Sequence, residues 1–175
     1  MKRIDARCCG RGPSNKESSI DGAGYDGIET AILEVARFYW QTFAMPETQS
    51  WLMAHHRSEV RFGQEMGGLL GLDILSAVQA MRMARTSCFK FNNPGCPHCA
   101  EIVSEHERQF MNVLQSIRAK RMGATITHAM LLCEGNDASA FIQRMAEVAE
   151  RAFRDPGIGM ALRAHPQIAI GPDMA

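Results

Sequence analysis

Apolar residues in this chain recur at intervals of three and four, and that spacing restricts the fold to packed helices. The clearest case is RQFMNVLQSIRAKRM, residues 108–122, where Phe110, Val113, Leu114 and Ile117 form one stripe of a 3.6-residue period. Gly123 supplies a stop for this helix, and Lys and Arg in its last turn suit the negative end of the dipole. The same spacing begins at Asp26, with Ile28, Ile32, Val35, Tyr39 and Phe43 behind a capping box made by Asp26 and Glu29. That helix should end near Met45. Pro46 fits the first position of a second helix through PETQSWLMAHHRSEVRF, which makes an antiparallel hairpin.

Further on, FGQEMGGLLGLD places Gly63, Gly67 and Gly71 four apart, a spacing that lets two helix backbones approach, while Gly68 beside them favours a break. The break is the preferred reading. Leu70, Ile74, Ala77, Val78 and Met81 make a third helix ending in MRMARTS. ATITHAMLLCEG fits either a short helix or a buried strand, and NDASAFIQRMAEVAERAF runs helically from an Asp137 cap to about Arg154. The fold class expected is therefore all-α, with about six helices in an irregular bundle over residues 26–154. Residues 1–25 read as a mobile tail and 155–175, broken by prolines, as an irregular C-terminal tail.

At 175 residues the chain has room for one domain with a genuine core, and 46% hydrophobic residues exclude a disordered chain. No apolar run approaches the roughly 18 residues of a membrane span, and the charged N-terminus has no apolar segment behind it. The expectation is a cytoplasmic protein with no membrane association. In that reducing compartment six cysteines argue for metal or thiol chemistry rather than a disulfide framework. Cys8 and Cys9, in the tail with nothing structured around them, read as incidental thiols.

The chemistry concentrates in NNPGCPHCAEIVSEHE, residues 92–107. Its CPHC resembles the active-site tetrapeptide of the bacterial disulfide oxidases among the thioredoxin-like proteins, where a cysteine at a helix N-terminus has a lowered pKa. That resemblance covers four residues and implies a thiol-disulfide oxidoreductase with Cys96 as nucleophile and Cys99 as resolving thiol. It also implies a sheet of about four strands, whereas residues 26–85 read as three helices. CFKF, MLLC and QIAI are the segments with strand character.

CPHCA resembles, too, the Cys-Pro-x-Cys-Gly/Ala zinc knuckle. Cys88, Cys96, Cys99 and His106 form C-x7-C-x2-C-x6-H, a set of four N and S donors that suits tetrahedral zinc. An unbroken helix from Pro97 would put Cys99 and His106 about 10.5 Å apart along its axis. Ser104 and Glu107, as a capping box, favour a later start and leave Cys99 on the preceding loop. The fourth ligand is His106, with His98, His128 and Cys133 as alternatives. Four protein ligands close the coordination sphere, so the Zn2+ expected is structural, joining the N-terminal helices to the long central helix.

Residues 81–122 are the basic segment of an otherwise neutral chain. The excess reads first as a solvated helix face and second as a surface of Arg82, Arg85, Lys90, Arg118, Lys120 and Arg121 for nucleic acid or an acidic protein partner. Of the adjacent His55 and His56, one should be in the core and one solvated. No phosphate loop, catalytic triad or metal-hydrolase motif is present. The functional expectation is a zinc-stabilised regulatory or adaptor protein, more simply not an enzyme, with the oxidoreductase as alternative and a homo-oligomer as a third reading.

Overall fold

The computed structural model describes residues 17–154; Cys8, Cys9 and the expected C-terminal tail with QIAI lie outside the described residues. Among the described residues are seven helices: α1 (Gly27–Ala44), α2 (Ser50–Phe62), α3 (Gln64–Ala84), α4 (Pro97–Ala100), α5 (Glu105–Arg118), α6 (Met122–Leu132) and α7 (Ser139–Arg154). A two-residue pairing of β1 (Ser18–Ser19) with β2 (Ile102–Val103) is the sheet content there. The protein is all-α, as the periodicity requires.

Two capping boxes read from the sequence set the starts of the helices that flank the chemistry. Asp26 Oδ1 accepts the Glu29 N–H at 2.9 Å while the Asp26 N–H donates to Glu29 Oε2 at 3.1 Å. Ser104 Oγ accepts the Glu107 N–H at 3.2 Å and the Ser104 N–H donates to Glu107 Oε2 at 2.7 Å. The helix after the cysteines therefore starts at Glu105, and Cys99 belongs to the separate single turn α4.

Other boundaries differ from the sequence reading. Part of the segment read as a tail is structured: Ser18 faces Val103 and Ser19 faces Ile102 in antiparallel register, and Ile20, Ala23 and Tyr25 pack on the core. Three apolar residues at irregular spacing carry no period, which is why this segment reads as a tail. The α2–α3 break falls at Gly63, whose φ of 84° favours glycine, while Gly67 and Gly68 continue inside α3. At Gly67 the helices do approach closely, since a Cβ there would stand 2.5 Å from the Ser58 carbonyl oxygen. Pro46 opens a single 3-10 turn, Pro46–Thr48, ahead of α2. Helix α5 stops at Arg118, with Lys120 in the left-handed region at φ 56°, so Gly123 lies in the first turn of α6 and stops nothing. The longest helix is α3, at 21 residues, against 14 for α5. Residues 124–132 are helical with Cys133 capping the helix, and Cys88–Phe91 has no regular structure and no strand pairing.

Helix α1 packs on α2, α2 on α3, α3 on α7, and α5 on both α6 and α7. Gln115 and Arg118, at the end of α5, reach Glu29 at the start of α1, so these two helices run antiparallel. Their shared core holds Ile32, Leu33, Leu70, Ile74, Met81, Phe110, Leu114 and Phe141, each essentially inaccessible. Burying each such side chain contributes about 1.5–3 kcal/mol. Trp40 meets Phe110 edge-on at 5.1 Å and stacks on Phe89 at 4.4 Å, which ties the extended segment before the cysteines to the helical core.

Candidate functional site

The cysteine turn is held from below by a buried ion pair. Arg37, in the middle of α1, is 2% exposed and Glu107, in the first turn of α5, is 0% exposed. Arg37 Nε donates to Glu107 Oε1 at 2.8 Å and a terminal nitrogen donates to Oε2 at 3.2 Å. The same guanidinium donates to the carbonyls of Ala100 at 2.6 Å and Ile102 at 2.5 Å, the two residues that carry the chain out of α4. Glu107 also accepts from the Asn92 backbone N–H at 3.0 Å and from Asn92 Nδ2 at 3.1 Å. One carboxylate thus caps α5, neutralises Arg37 and fixes the segment before the cysteines. A buried charge is tolerated only when paired and hydrogen-bonded throughout, and this one is.

The turn is built on that clamp. The Asn93 side chain accepts the Gly95 N–H at 2.9 Å, an Asx turn, and the Cys96 N–H donates to the Asn93 carbonyl at 3.3 Å. Cys96 is the residue before α4 and Cys99 its third residue; both are buried, whereas His98 between them is exposed. Immediately afterwards the Ile20 N–H donates to the Glu101 carbonyl at 2.8 Å, which extends the β1–β2 pairing to the foot of α4. The N-terminal segment is thereby tied to the chain two residues from Cys99.

The other expected zinc ligands lie elsewhere. Cys88 is exposed and lines a pocket of about 230 Å³ with Trp40, Phe43, Arg82, Phe89 and Phe91. His106 Nδ1 accepts the Lys90 N–H at 2.9 Å and its ring lies 5.4 Å from that of Phe89, so the histidine pins the extended segment to α5. Burial, then the Arg85 and Lys90 charges, hold its pKa below the usual histidine value. Cys133 is buried, and desolvation pushes its thiol up to about 11. His128 pairs with Gln109 Oε1 at 2.8 Å. Among the described residues no three His, Cys, Asp or Glu side chains come together as a metal-holding group, so Cys88 and His106 are not brought to Cys96 and Cys99. Phe89 stacks on Trp40 and keeps the adjacent Cys88 in the aromatic pocket.

The basic residues divide between the two ends of α1. Arg118 bonds Asp26 and Glu29 and lies over the Phe153 ring, with exposed Lys120 and Arg121 beyond it. Arg82 lies over Phe43, 14 residues and about 21 Å along the helix from Glu29. Near it, Arg85 bonds the Leu132 carbonyl and pairs with Glu134 at 3.2 Å, and Lys90 is exposed. Glu134 accepts from Thr86 and Ser87, whose side-chain and backbone donors hold its carboxyl down to about 2. Arg118 and Arg85 are thus engaged within the fold. His55 and His56 are both exposed, because α2 is bounded by solvent on that whole side.

Arg37 went unread in the sequence, although a signal exists: it is the lone cation in AILEVARFYW, a stretch too apolar all round for a surface helix. Among the described residues no helix is long and apolar enough to cross a membrane. No family model, curated protein or solved structure matches the chain.

Proposed function

We propose that this is a non-catalytic adaptor in which the Cys96–Cys99 turn supplies two ligands of a structural zinc ion. The observation that carries the reading is the clamp: Arg37, Glu107 and Asn92 immobilise the turn from beneath, through backbone carbonyls and a capped helix. Two thiols three residues apart on such a turn are the arrangement that C-x-x-C metal sites use, and a rigid base lowers the cost of organising them. The oxidoreductase alternative loses its scaffold, since the fold is helical and α4 is a single turn.

Exposed apolar residues support the adaptor part. Met122, Ile126 and Met130, at 62%, 43% and 47% exposure, lie four apart along α6 and form one exposed stripe. A protein partner or a second copy of the chain fits that face better than nucleic acid does, because the stripe is uncharged.

Elemental analysis of the chain purified under reducing conditions tests the metal. One zinc per chain is expected, and its removal by chelator should raise hydrogen exchange at the Lys90, Asn92 and Ser104 amides. A metal-free protein that cycles a Cys96–Cys99 disulfide and reduces insulin would overturn the reading in favour of the oxidoreductase.

A further inference from the structure

We propose that the pocket beside Cys88 is a binding site for a small aromatic carboxylate, whether or not a metal sits at the cysteine turn. The pocket, of about 230 Å³, is walled by the last turns of α1 and α3 and by Ser87, Cys88, Phe89 and Phe91. That is below the roughly 300–1,000 Å³ of sites for drug-sized ligands, so it suits one ring or two fused rings. Its wall is aromatic. Phe89 stacks on Trp40 at 4.4 Å, Phe91 lies tilted at 6.3 Å from the same indole, and Phe43 stands one turn further along α1. A flat apolar body packs on such rings by offset or edge contact.

The polar groups of the wall fix the charge of the occupant. Arg82 is exposed, holds its guanidinium 4.1 Å over the Phe43 ring and donates to Gln79 Oε1 at 2.7 Å. Among the described residues no carboxylate pairs with it, and the rest of its donor fork is unused. A planar guanidinium held in this way takes a carboxylate through two parallel hydrogen bonds. Trp40 carries a second donor. It is 2% exposed, yet its indole N–H has no acceptor among the described residues. A buried donor left unsatisfied is costly, and an oxygen of the occupant relieves it. Ser87 is already engaged with Arg85 and Glu134. Apart from the Cys88 thiol, the unused side-chain polar groups are therefore donors, and the occupant brings the acceptors.

Four aromatic rings would also suit a quaternary ammonium ion, and charge decides against it. Arg82 already covers Phe43, Arg85 lies 5.8 Å from the Phe89 centroid, and exposed Lys90 is on the same segment. Glu134 is the carboxylate that reaches a lining side chain, Ser87, and Arg85 pairs with it at 3.2 Å. Arg82 and Lys90 are left without a paired carboxylate among the described residues, which attracts an anion and repels a cation.

The test uses the full chain with 2-naphthoate as the probe, beside uncharged 2-naphthamide and cationic 2-naphthylmethylammonium, which keep the ring and change the charge. Isothermal titration calorimetry should give one saturable site for naphthoate, with a Kd of about 1 mM or below for a ligand of this size. The amide and the ammonium should bind at least about tenfold more weakly, as should naphthoate to Arg82→Met, because a hydrogen bond to a charged group is lost. Two readouts fix the place. Naphthoate should slow alkylation of Cys88 by iodoacetamide in proportion to occupancy. In nitrogen-15 spectra the indole N–H resonance of Trp40, told from that of Trp51 by Trp51→Phe, should shift with the same dissociation constant. Trp51, 51% exposed on α2, should not respond. Equal binding of the three probes, unchanged affinity in Arg82→Met, or no saturable binding by about 10 mM would each overturn the assignment. Naphthoate binding that leaves Cys88 and Trp40 unaffected would place the ligand elsewhere, and tighter binding of the ammonium would make the pocket a cation cage; either result also overturns it. The three probes are compared on the unaltered chain, so the outcome does not depend on any variant folding.

Discussion

Replacing Arg37 by Met removes the charge from the centre of the clamp while keeping most of the aliphatic stem that packs in α1. Glu107, fully buried, then keeps the Ser104 and Asn92 donors but has no counter-charge. The Ala100 carbonyl loses its guanidinium partner, whereas the Ile102 carbonyl retains Asn92 Nδ2 at 2.9 Å. Removing one member of a buried ion pair costs about 3–5 kcal/mol, because the partner stays buried and unpaired. Against a total stability of about 5–15 kcal/mol, Arg37→Met should leave a domain that is marginal at room temperature.

Urea denaturation followed by far-ultraviolet circular dichroism, with the slope checked for change, measures the loss. The decisive comparison is the double variant R37M/E107Q. A carboxamide at 107 needs no counter-charge and its oxygen still accepts from Ser104 or Asn92, so the double variant should be more stable than Arg37→Met alone by about 1 kcal/mol or more. A single Arg37→Met variant within about 1 kcal/mol of wild type, at unchanged slope, would refute the reasoning: the turn would then be held by the cap and Asn92 without help from the charge.

Three further outcomes are expected. Gly67→Ala should destabilise by about 1–3 kcal/mol, since its Cβ meets the Ser58 backbone at 2.5 Å, whereas Gly68→Ala, with nothing nearer than His55 Cε1 at 3.9 Å, should stabilise by up to about 1 kcal/mol; equal effects in urea would remove the close-approach argument. Glu134 has its carboxyl held at about 2 instead of the usual 4.5, so its tether on Thr86 and Ser87 is fully present above about 4.5 and is lost as pH falls through about 2. A carboxyl carbon resonance titrating near 4.5 would contradict this. Iodoacetamide at pH 8 should alkylate exposed Cys88 at least about tenfold faster than Cys133, whose thiol burial pushes up to about 11; comparable rates by peptide mapping would place Cys133 outside the core.

The helices were legible where a period and a cap coincided. Asp26 with Glu29 and Ser104 with Glu107 are local signals, each complete within four residues, and the structure has both boxes. Gly63, Gly67 and Gly68 show what locality cannot supply. All three are the same residue in one short stretch, yet one turns the chain, one admits a neighbouring backbone and one faces open space, and the difference lies in what α2 does nine residues earlier. The N-terminal strand was invisible for a related reason: Ser18 and Ser19 gain their partners from residues more than eighty positions away.

The candidate site divides along the same line. C-x-x-C and the later helix start were readable, because both are short-range. Spacing alone also attached Cys88 and His106 to the set, since each lies near the pair in sequence. Near in sequence proved to be separate in space: Phe89 is drawn onto Trp40 and carries Cys88 to the aromatic pocket, while His106 accepts the Lys90 N–H. Conversely the groups that hold the turn, Arg37 from 63 residues before Ala100 and Ser19 from across the β pairing, are distant in sequence. Substituting Ile20 by Pro, which deletes the N–H to Glu101, should therefore loosen the cysteine turn from a distance and raise hydrogen exchange at the Ala100 amide, which bonds the Cys96 carbonyl.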